Sequence, residues 1–203
     1  MELFMSLKKL TESIHKKAEQ TKWSQLLVSG NMNCAQYGQF LYNLLYIYSV
    51  LETKADQYQI FKDYPVLKDI RRIQGLTMDR GWYDYDAGYE PSTHDYVDYL
   101  ETCDRDQILA HMYVRHFGDI YGGQIISKNV PSPSESESWK LRDPDSLPDL
   151  ANENYTHYFD FNNKQEMIAT MRSLLSDEMA DEAILGFQFA INLFNDLEKR
   201  FDL

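Results

Sequence analysis

Gly118-Asp119-Ile120-Tyr121-Gly122-Gly123-Gln124 places three glycines and one carboxylate in a stretch that otherwise reads as a long amphipathic helix, opened by Asp104 and running through Ile108, Leu109 and Met112. A glycine in a helix interior costs about 1 kcal/mol relative to alanine. Three within six residues must be offset by something that needs bare backbone close to a partner. A flat ligand lying on the helix is one such partner, and a close helix-helix crossing at small residues is the other. The crossing does not account for Asp119, because a carboxylate buried in a packed seam is costly without a partner of its own. Arg115 and Asp119 stand one turn apart, as do Asp119 and Gly123, so charge and bare backbone share a face.

Working outward, helical periodicity dominates. Leu3, Leu7, Leu10, Ile14 and Ala18 recur at three- and four-residue steps and predict a first helix with one core-facing stripe. Asn31-Met-Asn33 offers cap chemistry for a second helix carried by Tyr37, Phe40, Leu41, Leu44, Leu45, Tyr48 and Leu51 to about Tyr58. A shorter helix is expected after Pro65, a long connection from Met78 to Pro91, and a helix capped at Ser92-Thr-His-Asp through Val97 and Leu100. Residues 131–149, with Pro131, Pro133, Pro144 and Pro148 around a Ser-Glu-Ser-Glu-Ser core, cannot sustain a helix and are expected to form a mobile surface loop. Helical spacing resumes near Asn162 and, after a break at Ser176-Asp177, runs through Ile184, Phe187, Ile191, Phe194 and Leu197. The expectation is an all-α, single-domain chain over residues 1–203, with no alternating strand pattern and no internal repeat.

Composition narrows the partners. A formal charge of −12 over 203 residues argues against a nucleic-acid surface, which needs a positive footprint to displace counterions from phosphates. One local exception stands at the start, where Lys8, Lys9, Lys16, Lys17 and Lys22 face three glutamates in the first 22 residues. Cys34 and Cys103 are too few and too isolated for a disulfide framework or a zinc site. No stretch approaches the roughly 18 apolar residues of a membrane span, and neither end reads as a signal or anchor. A cytoplasmic protein without a membrane partner is expected, as a monomer.

His15 lies just off the apolar stripe of the first helix, in line with Phe4, Lys8, Thr11, Glu19 and Lys22. Glu19 is one turn below the imidazole. A carboxylate there can fix the tautomer and raise the basicity of a metal-ligating histidine, although a solvated surface pair has the same spacing.

At this point the residues resemble a known family. The segment Leu109 to Lys128 is similar to the distal helix of haem oxygenases, whose Tyr-x-Arg-(two residues)-Gly-Asp-x-x-Gly-Gly-Gln pattern is matched by Tyr113, Arg115, Gly118, Asp119, Gly122, Gly123 and Gln124. His15-Lys-Lys-Ala-Glu19 resembles the proximal His-x-x-Ala-Glu of that family, with Lys8 on a lysine two turns earlier. The register holds without a gap from His15 to Glu52 and puts Tyr48 on a tyrosine of the family's distal hydrogen-bond network. The similarity spans residues 3 to about 128 and resumes, more weakly, from Tyr158 to Leu197.

The resemblance implies a helical bundle with haem b between the first helix and a glycine-kinked distal helix, haem being prosthetic group and substrate at once. His15 would ligate the iron, with Glu19 its neighbour. Gly118, Gly122 and Gly123 would press backbone on the distal face, and Asp119, with Arg115 and Tyr48, would feed a proton through ordered water to oxygen at the iron. Lys8 and Tyr113 are implied as further haem contacts. The products would be biliverdin, carbon monoxide and ferrous iron, made with three oxygen molecules and seven electrons. Those electrons would come from an external donor such as ferredoxin or a flavin reductase, docked at the lysine-rich surface near His15. The later helix departs from the family. Lys164 fits a propionate-facing lysine, but the arginine expected four residues on is Ile168, which leaves Arg172 one turn further as a substitute. Phe187 matches a pocket phenylalanine, and an asparagine common in mammalian members is Ala190. Two other readings share the fold: a haem-storage protein without turnover, and a relative that processes thiamin or another cofactor. Asp119 with the intact glycine set speaks against the first, and His15 in ligand register against the second.

Overall fold

The structure, a computed structural model, describes residues 7–83, 87–135 and 155–203, and among these every regular element is helical. In chain order the α-helices are α1 (Glu12–Glu19), α2 (Lys22–Ser29), α3 (Cys34–Gln57), α4 (Ile60–Asp63), α5 (Ile73–Arg80), α6 (Pro91–Thr102), α7 (Arg105–Ile126), α8 (Lys164–Leu174) and α9 (Ala180–Arg200). Short 3-10 turns cover Pro65–Ile70, Pro133–Glu135, His157–Phe159 and Asp177–Met179.

The two longest helices among the described residues, α3 and α7, begin where side chains can satisfy the free N–H groups of a helix start. Asn33 Oδ1 accepts from the Gln36 amide at 2.9 Å while Gln36 Oε1 accepts from the Asn33 amide at 2.9 Å, a reciprocal capping box that opens α3. Asp104 and Gln107 repeat the arrangement at the start of α7. The backbone ladder of the first helix passes through Thr11, since Thr11 N–H reaches Leu7 O and His15 N–H reaches Thr11 O, both at 3.0 Å. Leu3 and Phe4, placed on that helix by their spacing, lie outside the described residues, as do positions 136–149 of the expected surface loop.

Three sequence expectations change. Helix α2, which no stripe announced, follows α1 after Thr21 caps it by accepting from the Ser24 amide. It ends at Gly30, whose φ of 74° is the left-handed conformation that glycine adopts without strain. The segment after Pro65 is a 3-10 turn, with the α-helix delayed to Ile73 and continuing to Arg80, inside the expected connection. Helix α6 starts at Pro91 with Glu90 as its N-cap, so Ser92 is already within the first turn, where its amide donates to Asp196 Oδ2 at 3.1 Å. The glycine run lies inside α7, which is α-helical from Arg105 through Ile126, as its spacing predicts.

Helix α3 is the axis of the core, with Leu41, Leu44, Ile47 and Leu51 buried on one side and Gln39 and Asn43 on another. The buried amide groups are bonded. Asn43 Oδ1 accepts from the Glu90 amide at 2.8 Å and from Thr93 Oγ1 at 2.7 Å, which ties the start of α6 to α3. Helix α9 packs on α1, α2, α6 and α7 and so spans from the first helix to the glycine helix, while α1 rests chiefly on α9 and α2.

Candidate functional site

Asp119 projects from α7 into a cluster assembled with two other parts of the chain. The Tyr48 hydroxyl, from α3, donates to Asp119 Oδ2, and the Tyr158 hydroxyl, from the His157–Phe159 turn, donates to Asp119 Oδ1 at 2.6 Å. Both phenols are fully buried. Burial and the adjacent Asp119 charge push them well above the ordinary phenol range, so they remain protonated donors. Arg115, one turn before Asp119, is buried with its guanidinium 5.7 Å from the centre of the Tyr48 ring. Burial works against the Arg115 charge, and the negative charge of nearby Asp119 favours the ionised guanidinium.

Behind this cluster lies a second polar layer. His116 and Glu52 are buried 4.0 Å apart, His116 Nδ1 meets Met112 O at 3.1 Å, and Glu52 Oε1 accepts from the Arg72 amide at 2.5 Å. Among the described residues, Arg115 Nε, His116 Nε2 and Glu52 Oε2 are buried without a hydrogen-bond partner. The His116 ring stands edge-on to Tyr48, with centroids 5.0 Å apart.

The three glycines divide. Where Gly118 and Gly122 lack a Cβ, nothing stands within 4 Å. At Gly123 the same atom would lie 2.5 Å from Phe159 Cδ1, so this glycine accommodates a ring of the protein's own fold. The open pair shares its face with Tyr121 and Ile125, which are 53% and 56% exposed. Large apolar side chains left in solvent beside bare backbone make a surface suited to a flat apolar ligand. Tyr113, Phe117 and Tyr121 form an edge-to-face ladder up the same helix.

His15 stands half in solvent with Nδ1 3.5 Å from Glu19 Oε1. No described residue bonds to its Nε2, which leaves that nitrogen available as a ligand. The Phe187 ring meets the imidazole edge-on at 5.3 Å. The lysines at positions 8, 9, 16, 17 and 22 are all exposed, Lys16 being paired with Glu12 at 2.6 Å.

On α8, Lys164, Ile168 and Arg172 follow one another at four-residue steps. Lys164 lies 5.8 Å from the Phe161 ring centre, Ile168 packs partly against the core, and Arg172 Nη2 donates to the Tyr121 hydroxyl at 3.0 Å. Arg172 is thus brought to the open face of α7. No contact links Lys164 to that face. Away from this region, Cys103, His111 and Glu182 converge with ligand atoms within 4.8 Å of one another, a juxtaposition the isolated cysteines did not suggest. Hydrogen bonds already occupy it: His111 Nε2 pairs with Glu182 Oε1 at 2.8 Å, Tyr99 Oη donates to the same oxygen, and Gln107 Nε2 donates to Glu182 Oε2.

Helical spacing put Arg115 and Asp119 on one face and the family resemblance added Tyr48, but neither pointed to Tyr158, Glu52, Arg72 and His116. Tyr158 follows a segment without helical period and sits in a three-residue turn, so no pattern marked it. His116 had a signal, since it lies one turn before Ile120 and directly after Arg115 on the glycine helix.

The family model described as "Heme oxygenase" matches residues 1–196. The heme oxygenase of Porphyra purpurea is 26% identical over 211 residues, covering 94% of this chain and 84% of the relative. Among solved structures, heme oxygenase-1 of Synechocystis sp. PCC6803 in complex with heme superposes with a TM-score of 0.75 at 22% identity, covering 98% of this chain and 94% of the other. Heme oxygenase-2 of Synechocystis in complex with heme and NO gives 0.76 at 23% identity, covering 98% and 86%. At such identities these structures speak to the fold.

Proposed function

The chain belongs to the haem oxygenase family, and we propose that it binds haem between α1 and the Gly118–Gly122 face of α7 as a single domain and opens the ring to biliverdin, carbon monoxide and ferrous iron. The observation that carries this reading is the pairing of an open glycine face with a half-buried carboxylate hydrogen-bonded at both oxygens: nothing stands within 4 Å of the missing Cβ at Gly118 or Gly122, and Asp119 between them is gripped by Tyr48 and Tyr158.

The residues present fit haem. His15 would hold the iron through Nε2, with Glu19 beside Nδ1 to set the ring's orientation and basicity. Arg172, already bonded to Tyr121 at the edge of the open face, is the cation placed to meet a propionate, and its planar fork suits a carboxylate better than an ammonium would. Bound haem supplies both the iron at which oxygen reacts and the carbon that is oxidised.

The chain's own work is steric and protic. Gly118 and Gly122 let backbone approach the ring, which fixes where oxygen has room to lean. Tyr48 and Tyr158 fix both Asp119 oxygens, and Asp119 positions ordered water that delivers a proton on the distal side. Arg115 Nε, His116 Nε2 and Glu52 Oε2 add two nitrogens and an acceptor of the kind that internal water bridges, extending the relay into the protein. A storage protein has no use for such a relay. Reducing equivalents come from a separate protein such as a ferredoxin or a flavin reductase in the cytoplasm, docked at the exposed lysines near His15. No helix among the described residues is long and apolar enough to cross a membrane.

The test is direct: mix the protein with haemin, add ascorbate or reduced ferredoxin in air, and follow the visible spectrum. Loss of the Soret band with growth of biliverdin absorption is expected. A haem band that persists through many equivalents of reductant would overturn the assignment.

A further inference from the structure

Tyr158 reaches Asp119 from a turn of three residues, too short to hold its own position, and the hold comes from α5. Asp79, fully buried near the end of that helix, accepts from the His157 amide at 2.8 Å and from His157 Nδ1 at 2.9 Å through Oδ1, and from the Tyr158 amide at 2.7 Å through Oδ2. Arg72, just before α5 begins, donates Nη1 to Tyr158 O at 2.8 Å and to Asp160 O at 2.7 Å. Between them Gly75 brings bare backbone against the turn, because a Cβ there would stand 2.7 Å from His157 O. A carboxylate at one end, a guanidinium at the other and no side chain between them grip both the N–H and the C=O of Tyr158.

Burying Asp79 is unfavourable in itself, and burial raises its carboxyl above the usual range while the bonds from Tyr158 and His157 pull it back. An apolar side chain would fill the space at lower cost. What a carboxylate adds is direction, since two successive amides must point at two oxygens held by one plane. The turn so fixed presents Tyr158 to Asp119 and Phe159 to Gly123.

We propose that Asp79 is a positioning residue for haem cleavage: through the Tyr158 amide it sets the distance between the Tyr158 phenol and Asp119, and thereby the readiness of the distal proton donor. The catalytic half of this proposal rests on the haem reading above. The geometric half is independent of haem.

Two readouts separate them. In the haem-free protein, the Tyr158 hydroxyl proton and the His157 and Tyr158 amides are followed by NMR. Asp79→Asn turns one acceptor into a donor facing an N–H, and is expected to speed exchange of the Tyr158 amide by about tenfold or more and to remove the protected hydroxyl signal, with helical circular dichroism retained. In the ferric haem complex, the pH midpoint of the visible spectrum should move in the same direction in Asp79→Asn and Tyr158→Phe, and the double variant should move no further than Tyr158→Phe alone. An additive double variant, or an Asp79→Asn protein that keeps the Tyr158 hydroxyl signal, overturns the proposal. If Asp79→Asn does not fold, Asp79→Glu keeps the charge and displaces both oxygens from the two amides, and an unchanged Tyr158 signal there overturns it equally. Loss of the signal in the variant, beside a parent protein that never cleaves haem, overturns the haem reading alone.

Discussion

The Phe187 ring meets the His15 imidazole edge-on, with centroids 5.3 Å apart and planes at 89°. Phe187 directly follows Gly186, where a Cβ would stand 3.0 Å from His111 Nδ1 and 3.2 Å from Val114 Cγ2 of α7. Neighbouring residues of one helix point about 100° apart. Helix α9 therefore touches the first helix through a ring and the glycine helix through bare backbone, and acts as the spacer that sets how far His15 stands from the Gly118–Gly122 face.

His15→Ala should abolish biliverdin formation while weakening haem binding less, because under the proposed site the apolar contact and Arg172 would still hold the ring. Added imidazole should restore the parent absorption spectrum if the lost group is the iron ligand. Phe187→Ala removes an edge-on contact worth about 0.5–1.5 kcal/mol and should lower haem affinity by roughly tenfold or less, with ligation kept. Haem titration followed by absorbance measures both.

Tyr48→Phe and Tyr158→Phe each delete one donor to Asp119. A hydrogen bond to a charged group contributes about 1.5–3 kcal/mol, so each variant should slow single-turnover haem cleavage by roughly tenfold or more at nearly unchanged haem affinity. Asp119→Ala should be more severe, with haem consumed and little biliverdin formed. An Asp119→Ala protein as productive as the parent in single-turnover spectra would falsify the proton-delivery role.

The long helices, and the caps at Asn33 and Asp104, were readable in the sequence because both are local. Asn33 with Gln36, and Asp104 with Gln107, act within four residues, and Asp119, Gly118 and Gly122 announced themselves by their misfit with helix propensity. What could not be read was set by distant packing. Gly123 looks like its neighbours in the sequence, yet it faces Phe159 and they face open space, a difference decided by where a turn thirty-six residues later comes to rest. Tyr158 and Asp79 are separated by 79 positions and belong to segments with no shared pattern. Helix α2 escaped notice because its eight residues bury only Trp23 and Leu27, too few to make a stripe.

The exposed lysines near His15 stand on a chain of net charge −12, and the proposed docking would bring an acidic donor to them. Lys9→Glu with Lys17→Glu avoids both Lys8 and the paired Lys16. At low salt the double reversal should slow ferredoxin-supported reduction by about tenfold, and the difference should shrink as salt is added. Stopped-flow reduction of the haem complex measures it, and an unchanged rate at low salt would remove the lysines from the docking surface.

Glu182 gives the fold a defined acid limit. Burial alone would raise its carboxyl, but hydrogen bonds from His111, Gln107 and Tyr99 outweigh this and hold it at about 2, below its ordinary value of 4.5. A folded-state value below the unfolded one means that the stabilisation is complete above about pH 4.5 and is lost as pH falls toward about 2. Urea unfolding across that window should show stability falling with acidity. Glu182→Gln should be less stable at neutral pH and should lose much of that slope, since the α9–α7 contact through His111 would no longer depend on a charge.

The divided glycines make opposite demands on folding and on haem. Gly118→Ala and Gly122→Ala add a methyl where nothing stands within 4 Å, so the haem-free protein should gain about 0.5–1 kcal/mol per site from better helix propensity. The same methyl would stand where the ring must lie, and haem affinity should fall. Gly123→Ala instead drives a Cβ to 2.5 Å from Phe159 Cδ1, and the strain of displacing a buried ring should cost about 1–3 kcal/mol of stability. Its effect on haem should arise only through the turn that carries Phe159 and Tyr158. Thermal unfolding without haem, paired with haem titration, separates the three substitutions. Gly118 or Gly122 variants that lost stability without losing haem would show that the open face serves packing and that the ligand lies elsewhere.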